Sequence, residues 1–159
     1  MANKVNRIPK GSTAVTPHLS VKNASEMIDF YKKVFGAKET MRFPMPDGRV
    51  GHAQLEIEGA QFALADEFPE MGITSPVSLG VARSPVSIHL YVADVDDVYK
   101  RALAAGASSL REPADQFYGE RGAQVKDPSG HVWGISTLIE ELSNEEMMRR
   151  FKESSKEQS

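Results

Sequence analysis

The four histidines, His18, His52, His89 and His131, are the side chains of this sequence best able to move protons or hold a metal near neutral pH. His18 and His89 each head a copy of one phrase, "HLSVKNASEMIDFYKKVFGA" over 18–37 and "HLYVADVDDVYKRALAAGA" over 89–107. His52 opens the run His52, Gln54, Glu56, which alternates with apolar residues and so lies along one face of a strand. His18, His52, His89 and Glu56 together are a donor set suited to Zn²⁺, Ni²⁺ or Fe²⁺. Without a metal, His89 or His52 is suited to general base catalysis. The neutral groups Gln54, Ser87, Tyr91 and Gln124 point to a third use, hydrogen bonding to a small planar molecule rich in heteroatoms. Phe117 and Tyr118, with Arg121 as an anion contact, lie in "PADQFYGER" (113–121), a stretch expected to form either a wide connection or a flap over a ligand, hinged at Gly119 and Gly122. His131 follows "DPSG" and is expected to brace that turn.

Other chemistries lack their residues. There is no cysteine, which excludes disulfides, thiolate metal sites and cysteine nucleophiles. No G-x-S-x-G elbow, no Gly-rich phosphate loop and no convincing carboxylate pair occurs. The net charge of −3 gives no support for nucleic-acid binding. No apolar run approaches roughly 18 residues, so no membrane span is expected. "MANKVNRIPKGST" has no apolar core of a secretory signal, and a cytoplasmic location is the expectation.

The elements that carry these residues are read from periodicity. "VTPHLSV" alternates, with Val15, Leu19 and Val21 on one face and Thr16, His18 and Ser20 on the other. Asn23 and Glu26 form a capping box, Met27, Phe30, Tyr31, Val34 and Phe35 recur at helical spacing, and Gly36 stops the helix. "KETMRFP", "RVGHAQLEIE" and "AQFALA" follow as strands. The second copy keeps the order: "VSIHLYV", a helix capped by Asp94 and ended by Gly106, then "SSLREP", "RGAQVKD" and "HVWGIS". The chain thus divides into a first βαβββ module (14–66), a Gly-, Pro- and Ser-rich linker (67–85), a second βαβββ module (86–138), and a C-terminal helix and tail (139–159). Ser143 and Glu146 cap the last helix, near 144–154, and "SSKEQS" is expected to fray.

A duplicated unit of this kind resembles the glyoxalase/bleomycin-resistance/extradiol-dioxygenase (vicinal oxygen chelate) superfamily over residues 14–138. "IDFYKKVFGA", "DQFYGER" and "DPSGHVWGIST" are most similar to its PhnB-like branch. The resemblance implies an α+β fold in which two paired βαβββ modules form a curved, incompletely closed eight-stranded sheet around a cleft, with helices outside, and it implies a homodimer. Metal-using members carry one ligand on each of four strands. The corresponding positions are Thr16, Ala63, Ser87 and Gly134, none of them His or Glu, so no metal cofactor is expected. The expected cleft residues are His18, His52, Gln54, Ser87, His89, Tyr91, Tyr118, Arg121 and Gln124, with Gln54 facing Gln124 and with Ala63 and Gly134 as a small floor. The expected function is binding of a small polar or aromatic molecule. The alternatives are a metal-dependent lyase, isomerase or dioxygenase acting through the displaced His set, and a metal-free enzyme with a histidine base.

Overall fold

A computed structural model describes residues 7–9 and 11–156. The chain falls into two compact units, Met1–Ser75 and Pro76–Ser159, each built on its own four-stranded sheet. The fold is α+β, two βαβββ modules in sequence.

The first unit runs β1 (His18–Val21), α1 (Ala24–Phe35), β2 (Lys38–Pro44), β3 (Val50–Ile57) and β4 (Ala60–Asp66), in sheet order β1-β4-β3-β2. β1 lies parallel to β4 and the other pairs are antiparallel. α1 packs on β2, β3 and β4. It buries Met27, Ile28, Phe30, Tyr31, Val34 and Phe35. The sheet answers with Leu19, Val21, Ala53, Leu55, Phe62 and Leu64, the apolar phase of each strand. Gly36 follows α1 and donates to the Lys32 carbonyl at 3.1 Å, as a helix stop should.

The start of the helix departs from the sequence reading. Asn23 sits in the left-handed region at φ 57° and makes no side-chain cap to the backbone. The cap comes from Asp66, whose Oδ1 accepts from the Ala24 amide at 2.7 Å while Oδ2 accepts from the Val50 amide at 2.7 Å. One carboxylate at the end of β4 therefore ties the helix to the start of β3. The first strand is also shorter than expected. Val15 stands 81% exposed outside it, because Pro17 has no N–H to continue a ladder.

The second unit repeats the plan with β5 (Ser87–Tyr91), α2 (Val95–Ala104), β6 (Ser108–Asp115), β7 (Glu120–Lys126) and β8 (Val132–Leu138), in order β5-β8-β7-β6. Asp94 caps α2 as expected, accepting from the Asp97 amide at 3.0 Å. The unit closes with α3 (Asn144–Lys156), entered through the Ser143 hydroxyl accepting from the Glu146 amide at 3.2 Å. The helix covers the first part of the stretch expected to fray; 157–159 lie outside the described residues.

The expected linker is absorbed into the two units. Glu67 accepts from the amide of Ser75, at 2.7 Å, and from its hydroxyl, and the Arg49 guanidinium lies 4.2 Å over the Phe68 ring. On the far side of the boundary, the Val77 amide donates to the Ser129 carbonyl at 3.1 Å.

Candidate functional site

Each sheet has one face covered by its helix and one open face, and strand alternation sorts the candidate residues between them. On the open face of the first sheet the His18 and His52 rings lie 5.5 Å apart, and Phe43 lies 6.0 Å from His52. His18 keeps solvent access, but desolvation by its neighbours, and secondarily the His52 charge, hold its imidazole below the ordinary 6.5. The neutral ring, a lone-pair donor, is the favoured form there.

The parallel register sets what stands beside each repeat-heading histidine. His18 is level with Ala63, and His89 is level with Gly134. The sequence reading put Ala63 and Gly134 on the same face as these histidines, and the register sets them level with His18 and His89. Thr16 precedes β1, and Ser87 is level with Val132. A side chain at 134 would put its Cβ 2.8 Å from His89 Nδ1, so the ring lies directly on the glycine backbone. Each histidine thus has, in the adjacent strand, a residue with no side-chain donor atom.

Two cross-strand rows of the second sheet carry the remaining candidates. His89, Gly134, Gln124 and Arg111 form one row across β5, β8, β7 and β6; Tyr91, Ser136, Gly122 and Ala114 form the next. The His89 and Tyr91 rings meet edge to face at 5.0 Å. The Tyr91 hydroxyl donates to Glu120 Oε1 at 2.7 Å. That bond, more than the carboxylate charge, raises the phenol above its usual range, and Tyr118 adds a smaller push in the same direction.

Gln54 and Gln124 each have a partner inside their own unit: Gln54 donates to Gln61 Oε1 at 2.6 Å, and Gln124 accepts from Arg83 at 2.7 Å. Two expectations are corrected. Arg121 is on the helix-covered face, where it holds Asp96 of α2 through two bonds of 2.7 and 2.9 Å and Asp115 at 2.9 Å. Residues 113–121 are neither a wide connection nor a flap: β6 and β7 run to a tight turn closed by Gln116 N–H to the Glu120 carbonyl at 2.7 Å. Gly119, the expected hinge, is buried, and its carbonyl accepts from the amides of Ile139 and Glu140 at 3.0 Å each. Sequence reasoning missed Arg83 and Arg111. The signal available was their position on the open face, obscured by irregular register in β6 between Ser109 and Ala114.

His131 belongs to a structural knot. The buried Asp127 carboxylate accepts from the amides of Ser129 (2.9 Å) and His131 (3.0 Å) and from Trp133 Nε1 (2.9 Å). "DPSGHVW" is thereby explained as a turn stapled to the core tryptophan. A hollow of about 380 Å³ lies elsewhere in the first unit, beside Ser25, Glu26, Asp47 and Arg49. Its charges are already matched, with Arg49 held by Asp47 at 2.7 Å and Glu70 at 2.9 Å. Among the described residues no three His, Asp or Glu side chains are grouped to hold a metal ion.

Comparison with known proteins agrees with this architecture. An uncharacterized protein of Mycobacterium tuberculosis strain H37Rv is 43% identical over 137 residues, covering 84% of this chain and 79% of the relative. FosX, the fosfomycin resistance protein of Listeria monocytogenes, crystallised with Mn(II) and sulfate, superposes with a TM-score of 0.64 at 18% identity, over 88% of this chain and 98% of its own. The PhnB protein of Bacillus cereus gives 0.61 at 16% identity, over 79% and 99%. At these identities the two structures share the fold alone. A sequence profile matches residues 13–135 and, with the duplicated βαβββ modules, settles the assignment: the chain belongs to the Glyoxalase/Bleomycin resistance protein/Dioxygenase superfamily.

Proposed function

We propose that this protein binds a small, flat, polar or aromatic molecule on its open sheet faces and uses no metal to do so. The observation that carries the reading is the register: His18 beside Ala63 and His89 beside Gly134. Each parallel strand pair supplies one imidazole and, level with it, one residue without a side-chain donor, so a cation would find half its donors while the imidazoles remain to hydrogen-bond a ligand. His18, His52 and Gln54 line the first face; Ser87, His89, Tyr91 and Gln124 line the second. FosX was crystallised with Mn(II), and a shared fold does not carry a neighbour's metal with it.

A second reading has its own support. His18 and His52 come together on one face, with the His18 ring held neutral, which suits a general base, or two ligands of a displaced metal site. Metal analysis of tag-free protein, followed by a thermal-shift screen of flat heteroaromatic compounds, decides between them. A metal-to-chain ratio near zero with a stabilising ligand is expected. A ratio near one that disappears in His89→Ala would overturn the metal-free reading.

Homodimer formation and a cytoplasmic location belong to the same proposal. The dimer is supported by the open edges of β1, β2, β5 and β6, which invite a partner. A monomeric mass by light scattering at tens of micromolar would count against it, and recovery outside the cytoplasmic fraction would count against the location.

A further inference from the structure

α3 follows the two βαβββ modules and belongs to neither, and it turns a stripe with an apolar centre to solvent. Asn144, Met148, Phe151 and Ser155 stand at spacings of 4, 3 and 4 residues, which puts them on one line along the helix. All four are exposed, Met148 by 56% and Phe151 by 51%. Phe151 meets the Phe117 ring at 5.6 Å, a contact that still leaves half of it open. On one flank of the stripe Met147 and Ser154 are half-buried, so the helix rests on its own chain from that side. The other flank carries Glu145 and Lys152, both exposed. The arginines and the other glutamates of the helix are matched within the chain: Glu146 takes Arg149 and Arg150, Arg149 also takes Glu153, and Arg150 also takes Glu140. Glu145 and Lys152 hold no ion pair among the described residues.

The stripe reads the same in both directions: polar, apolar, apolar, polar. We infer that a second copy of this chain covers it, the two α3 helices lying antiparallel about a twofold axis midway between Met148 and Phe151. In that register Met148 lies opposite the partner's Phe151, and Asn144 lies opposite the partner's Ser155. Glu145 then comes within two residues of rise, roughly 3 Å along the axis, of the partner's Lys152, and the twofold makes the same pair again. The two charges left unmatched in one chain neutralise each other in two. A parallel pair would set this flank against the partner's Met147 and Ser154 and leave both charges unmatched. The helix is roughly 20 Å long, short of a standard interface, so association in the micromolar range is expected, with Phe117 adding apolar area at the rim. The inference rests on the homodimer proposed above and names α3 as its surface.

The test is sedimentation velocity on the full chain over a concentration series. Wild-type protein is expected to dimerise with a Kd of about 10 µM. Glu145→Lys and Lys152→Glu should each weaken the dimer about tenfold, because two exposed pairs turn from attraction to repulsion. The two substitutions combined in one chain should restore the Kd to within about threefold of wild type, since the pairs re-form with their signs exchanged. Single variants that dimerise like wild type overturn α3 as the surface and leave the homodimer standing on another one. Weakened single variants with no recovery in the combined variant overturn the antiparallel pairing. A wild-type monomer at tens of micromolar overturns the surface and the homodimer together. Register is checked by cross-linking, for which the chain has no cysteine of its own. With a short bismaleimide, a mixture of Asn144→Cys and Ser155→Cys protein is expected to cross-link, while neither variant cross-links to itself, because each position lies roughly 16 Å from its own copy. Self-linking of either variant, or an unlinked mixture, overturns the register.

Discussion

At the scale of single residues, the two groups that matter most have opposite burdens. His18 must stay neutral in a partly desolvated place beside a second imidazole. Its NMR titration midpoint is expected below 6.5, and His52→Gln should raise it only in part, because desolvation is the larger cause. An unfolded chain takes up this proton near 6.5 while the folded one does not, so stability falls as pH drops from 6.5 toward the folded midpoint. A midpoint at or above 6.5 would remove the argument for a neutral ring. Asp127 has the structural burden, three donors on one buried carboxylate. Asp127→Ala removes the acceptor of these three bonds and is expected to cost about 2–4 kcal/mol in urea unfolding. A loss below about 1 kcal/mol would mean that water replaces the carboxylate. That His18, His52 and His89 lie on open faces was legible in the alternation of their strands. The partners of Gln54, Gln124 and Arg121 were not, because a pattern of period two names a face and leaves the neighbour across it unspecified.

At the scale of elements, the β6–β7 hairpin shows why a segment read as mobile is held. The turn carbonyl at Gly119 takes two amides from the chain leaving β8, and a Cβ there would lie 2.3 Å from the Glu140 carbonyl oxygen. Gly119→Ala therefore meets both a positive φ of 85° and a clash, whereas Gly48→Ala meets a φ of 89° with open space around it. Both variants should be destabilised, Gly48→Ala by about 1 kcal/mol and Gly119→Ala by about 1–3 kcal/mol more, compared by thermal unfolding. Equal losses would show that the docking of 139–140 contributes nothing. The capping of α1 makes the same point from the other end. Asn23 and Glu26 have the spacing of a capping box, but the acceptor that reaches the first turn is Asp66, 42 residues away in sequence.

At the scale of the molecule, acid sensitivity is distributed over both units. In the first, hydrogen bonds from Arg42, then from Lys32, hold Glu39 at about 2 against an ordinary 4.5, despite some opposing desolvation. In the second, Arg149 and then Arg150 bring Glu146 of α3 to about 2. Both carboxylates contribute stability at neutral pH that is lost as pH falls from 4.5 through 2, since the unfolded chain protonates first. Trp133, the single tryptophan, reports the second unit alone, while far-UV circular dichroism follows both. Glu39→Gln is expected to flatten the part of the acid transition seen by circular dichroism and absent from tryptophan emission. An unchanged profile would assign the acid loss elsewhere.

The sequence by itself determined the module plan, the family, the order of strands and helices, and which phase of each strand meets its helix. Those features are written in local periodicity and in a duplication, and burial of an apolar phase enforces them wherever the strands pair. Register, cap exchange and the direction of long polar side chains were decided only by tertiary structure. They depend on which residues meet across a sheet: His89 on Gly134, Asp66 under α1, Arg83 bonded to Gln124. A slip of two residues leaves every face unchanged while moving each histidine to a different neighbour, so periodicity is blind to the step that made Ala63 and Gly134 the companions of the two repeat-heading histidines.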